Sequence, residues 1–242
     1  MVVAFRCVDV FLLLHLCACV MEKAKNNLEL ITRYFSDFSP EQLSQFDALD
    51  ALYREWNSKI NVISRKDEDS LYEKHILHSL SIAAAFDFPA KTNVLDIGTG
   101  GGFPGIPLAI FFPAVNFYLA DSIGKKVKVV QAVADAIGLK NVSAHHTRVE
   151  EIKNKKFDVV VSRAVAPLKD LWKWSKPLLK KSQHVATADK ELPVPNGLIC
   201  LKGGDLAQEV ADSGVRPRIM EVYEIFQQEA FREKFLLYVP FS

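Results

Sequence analysis

Cysteine is scarce in this sequence of 242 residues, which contains only four. Because Cys7, Cys17 and Cys19 all lie near the N-terminus, only Cys200 is left in the rest of the chain. This distribution excludes an intramolecular disulfide framework, and we expect a cytoplasmic protein.

An excess of charge of either sign is also absent. Lys and Arg together number 30 and Asp and Glu 29, which gives a formal net charge of +1. Binding to nucleic acid or to an anionic membrane through a global field is therefore excluded, and any basic binding surface must be local. The hydrophobic content of 49% excludes disordered and collagen-like classes and predicts one domain with a small appendage.

A hydrophobic run long enough to span a bilayer is missing as well. The apolar stretch from Val10 to Val20 is shorter than the roughly 20 residues that a membrane helix needs, so we expect no membrane partner. Met21 opens a polar segment that is typical of a soluble helix. We interpret residues 1–20 as a non-native or upstream-start extension, with an export signal as the rival interpretation.

Residues 21–88 form a predicted N-terminal helical segment. Ser39-Pro40-Glu41-Gln42 combines an N-cap, a proline at the first helical position and a capping-box partner, so a helix should begin there. A second helical pattern runs from Glu68 to Phe86. Both helices have apolar residues at helical spacing, which predicts that they pack on the domain that follows.

From residue 89 to residue 242, short apolar segments alternate with helical ones, which indicates a parallel sheet covered on both faces. The predicted strands are Asn93–Ile97, Asn116–Ala120, Val142–His146, Phe157–Val161 and Leu198–Leu201, and the predicted helices are Lys125–Ile137 and Leu168–Leu179. Two last strands, Ile219–Phe226 and Lys234–Val239, are too close for a parallel crossover and predict an antiparallel hairpin. The expected fold is α/β, with a mostly parallel, seven-stranded, doubly wound sheet.

A glycine-rich loop follows the first predicted strand, which ends near Asp96. Without side chains at Gly98, Gly100 and Gly102, the backbone can turn sharply and approach a ligand closely. Asp121 ends the second strand, where a carboxylate can accept hydrogen bonds from both hydroxyls of a ribose. Both features fall at the carboxyl ends of the strands, where open α/β sheets bind ligands.

Two ligands fit the loop. Gly100-x-Gly102-x-x-Gly105 matches the dinucleotide fingerprint and indicates an NAD oxidoreductase. Asp96-x-Gly98-x-Gly100-x-Gly102 is instead typical of S-adenosylmethionine-dependent methyltransferases. The carboxylate before the glycines, the preceding helices and the final hairpin favour the methyltransferase.

Six segments between Asn61 and Gly204 carry a more specific pattern. They are NVISRKDEDSLYEKHILHS (61–79), VLDIGTGGGFPGIPLAI (94–110), LADSIGKKVKVVQ (119–131), TRVEE (147–151), FDVVVSRAVAPL (157–168) and LICLKGG (198–204). Together they resemble the motifs of the RsmG family, formerly called glucose-inhibited division protein B. The resemblance implies a Rossmann-like class I methyltransferase that uses S-adenosyl-L-methionine and methylates N7 of a guanine in 16S ribosomal RNA. Two features depart from the pattern: His78 stands where the family has an acidic residue, and the polar loop Ser182–Pro195 is longer than expected.

The resemblance also implies a cofactor site. Phe103 is expected to close the glycine-rich loop over the ligand, and Arg163, which ends the fourth strand, has a fork that suits a carboxylate or a phosphate. The predicted cofactor-binding residues are Gly98, Gly100, Gly102, Phe103, Asp121, Ser122, Val149, Glu150 and Arg163.

Contacts with RNA must come from local basic clusters. The candidates are Arg65, Lys66, Lys74, Lys125, Lys126 and Lys202. His75 and His78 have no third ligand nearby, so we predict no metal site. The expected partner is 16S rRNA or the small ribosomal subunit, and the protein is expected to be a monomer.

No catalytic base is predicted, because guanine N7 has a lone pair and no proton and can attack a sulfonium methyl directly. The fourth strand is followed by Ser162-Arg163-Ala164 and lacks the Asp/Asn-Pro-Pro-aromatic motif of other nucleic-acid methyltransferases. Cys200 is interpreted as a core residue. Three alternatives stay open here: a methyltransferase acting on a small molecule or a protein, a non-catalytic ribosome-assembly factor, and the NAD oxidoreductase.

Overall fold

The computed structural model describes residues 27–163, 165–181 and 196–241. The interpretations of residues 1–20 and of the polar loop at residues 182–195 therefore lie outside the described residues.

Seven strands form one sheet in these ranges. They are β1 (Asn93–Ile97), β2 (Asn116–Asp121), β3 (Val142–His146), β4 (Val159–Arg163), β5 (Gly197–Gly203), β6 (Arg218–Glu221) and β7 (Lys234–Pro240). Their order is β3-β2-β1-β4-β5-β7-β6. Strands β1 to β5 are parallel to one another, whereas β7 is antiparallel to β5 and β6. The predicted α/β class, with its antiparallel pair at the end of a mostly parallel sheet, is confirmed.

The described helices cover both faces of the sheet. They are α1 (Pro40–Asn57), α2 (His78–Ala85), α3 (Gly105–Phe111), α4 (Gly124–Ala136), α5 (Leu168–Ser175), α6 (Ala207–Ser213) and α7 (Val222–Ile225). A 3-10 turn at Glu68–Ser70 and a π-helical segment at Tyr72–Leu77 lead into α2, and residues 27–32 are also helical. Further 3-10 turns lie at Val149–Glu151, Lys176–Leu178 and Glu229–Phe231.

Helix α1 begins where the capping box predicts. The Ser39 hydroxyl accepts a hydrogen bond from the Gln42 backbone N–H at 3.2 Å, and the Gln42 side-chain oxygen accepts one from the Ser39 N–H at 2.9 Å. Pro40 occupies the first helical position, where a missing N–H costs nothing.

The predicted strand Ile219–Phe226 is wrong in its second half. The strand ends at Glu221, and Val222–Ile225 forms a helical turn. Val222 and Phe226 are buried, and a spacing of four residues places both on one side of a helical turn rather than on alternate faces of a strand. The pattern at 68–86 is also interrupted by the change of helix type, and helices α3 and α6 were not predicted.

The core lies on both faces of the sheet. Helices α1 to α4 pack on one face, where Phe46 and Leu77 belong to the same hydrophobic cluster as Val94 of β1. Helices α5 and α6 pack on the other face, in a second cluster that contains Leu95, the next residue of β1. The N-terminal helical segment therefore shares its core with the sheet, while the boundary at residue 88 stays a prediction. None of the described helices is long and apolar enough to cross a membrane.

Candidate active site

Asp96 organises the glycine-rich loop from beneath. Its side chain is fully buried, and one carboxylate oxygen accepts hydrogen bonds from the Thr99 hydroxyl at 2.6 Å and from the Gly105 N–H at 3.0 Å. The other oxygen has no hydrogen-bond partner among the described residues. Burial raises the pKa of this carboxyl group to about 7, against the opposing effect of the two hydrogen bonds.

The loop follows a path that requires glycine. Gly102 has a φ of 101°, and a Cβ atom there would lie 2.7 Å from the Cγ1 atom of Ile106 and 3.1 Å from the Tyr53 hydroxyl. Gly100 also has a positive φ, of 59°. A side chain at Gly102 would therefore be strained and would collide with the helix that follows.

Asp121, at the end of β2, is joined to the same loop. One of its carboxylate oxygens accepts a hydrogen bond from the Gly100 N–H at 2.9 Å, and the other accepts one from the Ile123 N–H at 2.8 Å. Each oxygen keeps a lone pair for a further donor. The carboxylate is thus held in one orientation at the edge of the sheet.

A cavity of about 430 Å³ opens beside Asp121, at the carboxyl ends of β1, β2 and β3. Its size lies within the range of roughly 300–1,000 Å³ that small-molecule sites occupy. Its lining contains five of the predicted cofactor residues, Gly98, Asp121, Ser122, Val149 and Glu150, and also Lys126, which was predicted to contact RNA.

Sequence reasoning missed seven residues of the lining: Ile97, Ala120, Ile123, Thr147, Arg148, Val165 and Trp174. Ile97, Ala120 and Ile123 are each next to a predicted cofactor residue, and Thr147 and Arg148 begin the TRVEE segment. The motifs beside these five residues could therefore have indicated them. Ile123 and Val165 are 48% and 44% exposed, and exposed apolar side chains in a cavity offer a surface for an apolar ligand group. Trp174 lies in α5, outside the six segments that carry the family pattern.

Gly100, Gly102, Phe103 and Arg163 do not line the cavity. Phe103 is buried, and its ring centre lies 5.0 Å from that of Tyr53 and 5.1 Å from that of His75. The Phe103 ring packs the loop against the N-terminal helical segment, and its expected closure over a ligand stays a prediction.

Arg163 ends β4 and points toward the same helical segment. Its guanidinium group donates hydrogen bonds to the Lys74 carbonyl oxygen at 3.2 Å and to Nδ1 of His75 at 2.8 Å. Its Cζ atom lies 5.1 Å from the centre of the Phe103 ring. Burial lowers the pKa of Arg163 to about 10. Burial and the Arg163 charge lower the pKa of His75 and of His78 to about 3, so both imidazoles are neutral near pH 7.

The predicted RNA-binding residues differ in their surroundings. Arg65, Lys66 and Lys125 are exposed, and the exposed Lys74 forms an ion pair with Asp67 at 2.7 Å. Lys202 is buried instead. Its ammonium group forms an ion pair with Glu209 at 2.6 Å and donates a hydrogen bond to the Ala166 carbonyl oxygen, so it is not available to RNA.

Cys200 lies in the core, and burial raises the pKa of its thiol to about 12. Over the described ranges, no three His, Cys, Asp or Glu side chains form a group that could hold a metal ion.

The sheet and the crevice at its carboxyl edge define a Rossmann-like methyltransferase fold. The solved structure of a precorrin-6y C5,15-methyltransferase from Geobacter metallireducens matches with a TM-score of 0.50 and 10% identity, covering 76% of this chain and 92% of that one. The structure of MtNAS in complex with MTA and tNA matches with a TM-score of 0.56 and 12% identity, covering 82% and 73%. At these identities the likeness concerns the fold alone.

Sequence comparison is more specific. The family model described as GidB, rRNA small subunit methyltransferase G, matches residues 42–192. A protein named Ribosomal RNA small subunit methyltransferase G from Phocaeicola vulgatus is 53% identical over 215 residues, covering 89% of this chain and 99% of the relative. The protein of that name from Flavobacterium johnsoniae is 50% identical over 213 residues, covering 88% and 98%. The chain therefore belongs to the GidB family of methyltransferases, and the resemblance seen in its motifs is confirmed.

Proposed function

We propose that this protein transfers a methyl group from S-adenosyl-L-methionine to N7 of a guanine in 16S ribosomal RNA of the small subunit, in the cytoplasm. The observation that carries the proposal is the cavity at the carboxyl ends of β1 to β3, with the Asp121 carboxylate fixed beside the glycine-rich loop. Membership of the GidB family is the reason for proposing rRNA as the substrate.

The residues of the cavity fit the nucleoside part of S-adenosylmethionine. The Asp121 oxygens, each already oriented by one backbone N–H, would accept hydrogen bonds from the two ribose hydroxyls. The exposed side chains of Ile123 and Val165 give an apolar surface for the adenine ring. Four other predicted residues that line the cavity would also contact the cofactor: Gly98, Ser122, Val149 and Glu150.

S-adenosylmethionine would supply the electrophilic methyl group. N7 of guanine has a lone pair and no proton, so the protein needs no general base and contributes mainly orientation and proximity. Asp96 is consistent with a reaction that needs no general base. It is fully buried and accepts hydrogen bonds from Thr99 and Gly105, so it stabilises the loop and does not transfer a proton.

The experiment that tests the proposal measures transfer of labelled methyl from S-adenosylmethionine to small subunits and to 16S rRNA that lack the modification. Asp121→Asn replaces one of the two carboxylate oxygens, each of which accepts a hydrogen bond from a backbone N–H, with an NH₂ group that can only donate. The variant should therefore bind the ribose more weakly, and we expect cofactor affinity to fall about 10-fold to 100-fold. Asp135→Asn is the matched control, since Asp135 is exposed on α4 and its side chain accepts a hydrogen bond from the Gln131 side chain, outside the cavity.

Each other outcome identifies a different function. Cofactor binding without transfer to any RNA form would favour a small-molecule or protein substrate. Absence of cofactor binding would favour a non-catalytic ribosome-assembly factor.

A further inference from the structure

The segment at residues 165–168, between β4 and α5, forms part of the cavity wall. Val165 lines the cavity together with Gly98 of the glycine-rich loop. The two residues are in close contact, because a Cβ atom added to Gly98 would lie 2.7 Å from Cγ1 of Val165 and 3.1 Å from its Cγ2. Val165 is 44% exposed, so its position depends on the backbone of the segment more than on surrounding side chains.

One ion pair holds this backbone on both sides of Pro167. The Lys202 ammonium group, near the end of β5, donates a hydrogen bond to the Ala166 carbonyl oxygen. A carboxylate oxygen of Glu209 in α6 accepts a hydrogen bond from the Leu168 N–H at 2.7 Å. The same oxygen lies 2.6 Å from the Lys202 nitrogen, so the two hydrogen bonds belong to one arrangement.

Glu209 also supplies a cap that helix α5 lacks locally. Pro167 stands at the N-cap position, and its side chain has no atom that could accept a hydrogen bond. The first N–H groups of a helix have no partner within it, and the helix dipole favours a carboxylate beside them. The start of α5, and with it the segment that carries Val165, is therefore fixed by a residue from another helix.

The ion pair contributes geometry more than stability. Lys202 is only 7% exposed, and the cost of desolvation offsets much of the attraction within a buried ion pair. A well-packed apolar pair of similar volume would stabilise the fold at least as well. An apolar pair could not, however, hold the Ala166 carbonyl oxygen and the Leu168 N–H in place, since both contacts need polar atoms with fixed directions.

We propose that Lys202 and Glu209 are positioning residues of the methyl-transfer site: they fix the segment at 165–168 so that Val165 stays against Gly98, in the wall of the cofactor cavity. Val165 contacts the bound cofactor, and the ion pair acts through Val165. The inference rests on the proposed function. It assigns Lys202 to the support of the cofactor site, whereas the sequence indicated an RNA contact.

The test uses variants of the ion pair and one matched control. Lys202→Met removes the charge and the donor but keeps an unbranched side chain. The double variant Lys202→Met/Glu209→Gln removes both charges and keeps an acceptor for the backbone N–H at the start of α5. Lys180→Met is the control, because Lys180 pairs with Asp158 at 2.9 Å and that carboxylate likewise accepts a backbone N–H, that of Asn93. This second pair lies at the amino ends of β1 and β4, on the edge of the sheet opposite the cavity.

Binding of S-adenosylhomocysteine and unfolding in urea are measured for each variant. Lys202→Met leaves the charge of Glu209 without its partner, so we expect a less stable protein that binds the ligand about 10-fold more weakly. In the double variant, stability should return toward that of the wild type, while the affinity stays low because the Ala166 carbonyl oxygen still has no donor. A merely stabilising pair would regain affinity together with stability. Lys180→Met should bind the ligand as the wild type does.

Val165→Ala tests whether the ion pair acts through Val165. We expect this variant to bind S-adenosylhomocysteine more weakly than the wild type, and Lys202→Met to weaken binding by less than about twofold further in the Val165→Ala background. A full further loss of about 10-fold would show that Lys202 acts independently of Val165, and the inference would be overturned.

The remaining outcomes separate this inference from the proposed function. Wild-type affinity for S-adenosylhomocysteine in both Lys202 variants would overturn the inference. A raised KM for RNA at unchanged cofactor affinity would overturn it too, because Lys202 would then be an RNA contact. Should Lys202→Met fail to fold, the double variant decides through its cofactor affinity. Failure of the wild type to bind the cofactor would instead refute the proposed function.

Discussion

The hydroxyl of Tyr53 in helix α1 donates a hydrogen bond to the carbonyl oxygen of Gly101 at 2.6 Å. Tyr53 is almost fully buried, and burial raises the pKa of its phenol, so the donor proton is retained at neutral pH. Together with the packing of Phe103, this bond makes the N-terminal helical segment a support for the glycine-rich loop.

Tyr53→Phe tests that support. The variant leaves a carbonyl oxygen without its donor, so we expect a loss of about 1–3 kcal/mol in the free energy of unfolding and weaker binding of S-adenosylhomocysteine. Tyr72→Phe is the control, because the Tyr72 hydroxyl also donates at 2.6 Å, but to the Phe46 carbonyl oxygen of helix α1 and not to the loop. Denaturant unfolding and calorimetry should show similar destabilisation in both variants and lost affinity only for Tyr53→Phe. Equal ligand affinity in the two variants would contradict the supporting role.

Gly102→Ala tests the path of the loop. The alanine would have to adopt a φ of 101°, and its Cβ would lie 2.7 Å from the Cγ1 atom of Ile106. Gly138→Ala supplies the comparison, since Gly138 also has a positive φ, of 72°, but nothing lies within 4 Å of its added Cβ. A left-handed conformation alone costs about 1–2 kcal/mol, so Gly102→Ala should destabilise the protein by clearly more than Gly138→Ala in urea unfolding. Equal losses would show that the contact with Ile106 relaxes freely.

His78 should make stability depend on pH. Its pKa is lowered from 6.5 to about 3 by burial, so the unfolded chain binds a proton more readily than the folded protein between these values. The contribution of the neutral His78 to the free energy of unfolding is therefore fully present above pH 6.5. It is lost as the pH falls from 6.5 toward 3, by at most about 1.4 kcal/mol per pH unit.

His78→Gln removes this titration. Urea unfolding of the wild type and the variant should give parallel stabilities from pH 7 to pH 8, and the wild type should lose more stability than the variant as the pH falls below 6.5. Curves that stay parallel down to pH 4 would contradict the lowered pKa.

Most strands of the sheet were predictable because they are short, nearly continuous apolar runs, although Val142–His146 contains a serine and two histidines. Asn93–Ile97 and Val142–His146 match the structure residue for residue. The second half of the predicted strand Ile219–Phe226 is wrong because its apolar residues fit both the two-residue period of a strand and the 3.6-residue period of a helix. Packing of Val222 and Phe226 on the core selects a helical turn over a longer strand.

The site was only partly predictable because local motifs do not specify long-range partners. Asp121 and Gly98 follow from their places at strand ends, and the cavity lies beside them. By contrast, the orientation of Arg163 depends on Lys74 and His75, which are far away in the sequence. Lys202 likewise has the charge of a surface residue, but Glu209, in a helix that the pattern missed, forms an ion pair with it.

The identity of the methylated nucleoside tests most directly whether the protein methylates guanine N7 in 16S rRNA. Small subunits lacking the modification are incubated with the purified protein and S-adenosylmethionine, and the 16S rRNA is then digested and analysed by mass spectrometry. We predict 7-methylguanosine in the wild-type reaction and, at a limiting concentration of S-adenosylmethionine, about 10-fold to 100-fold less of it with Asp121→Asn but not with Asp135→Asn. A methyl group on any other nucleoside, or no methyl transfer at all, would contradict the proposed function.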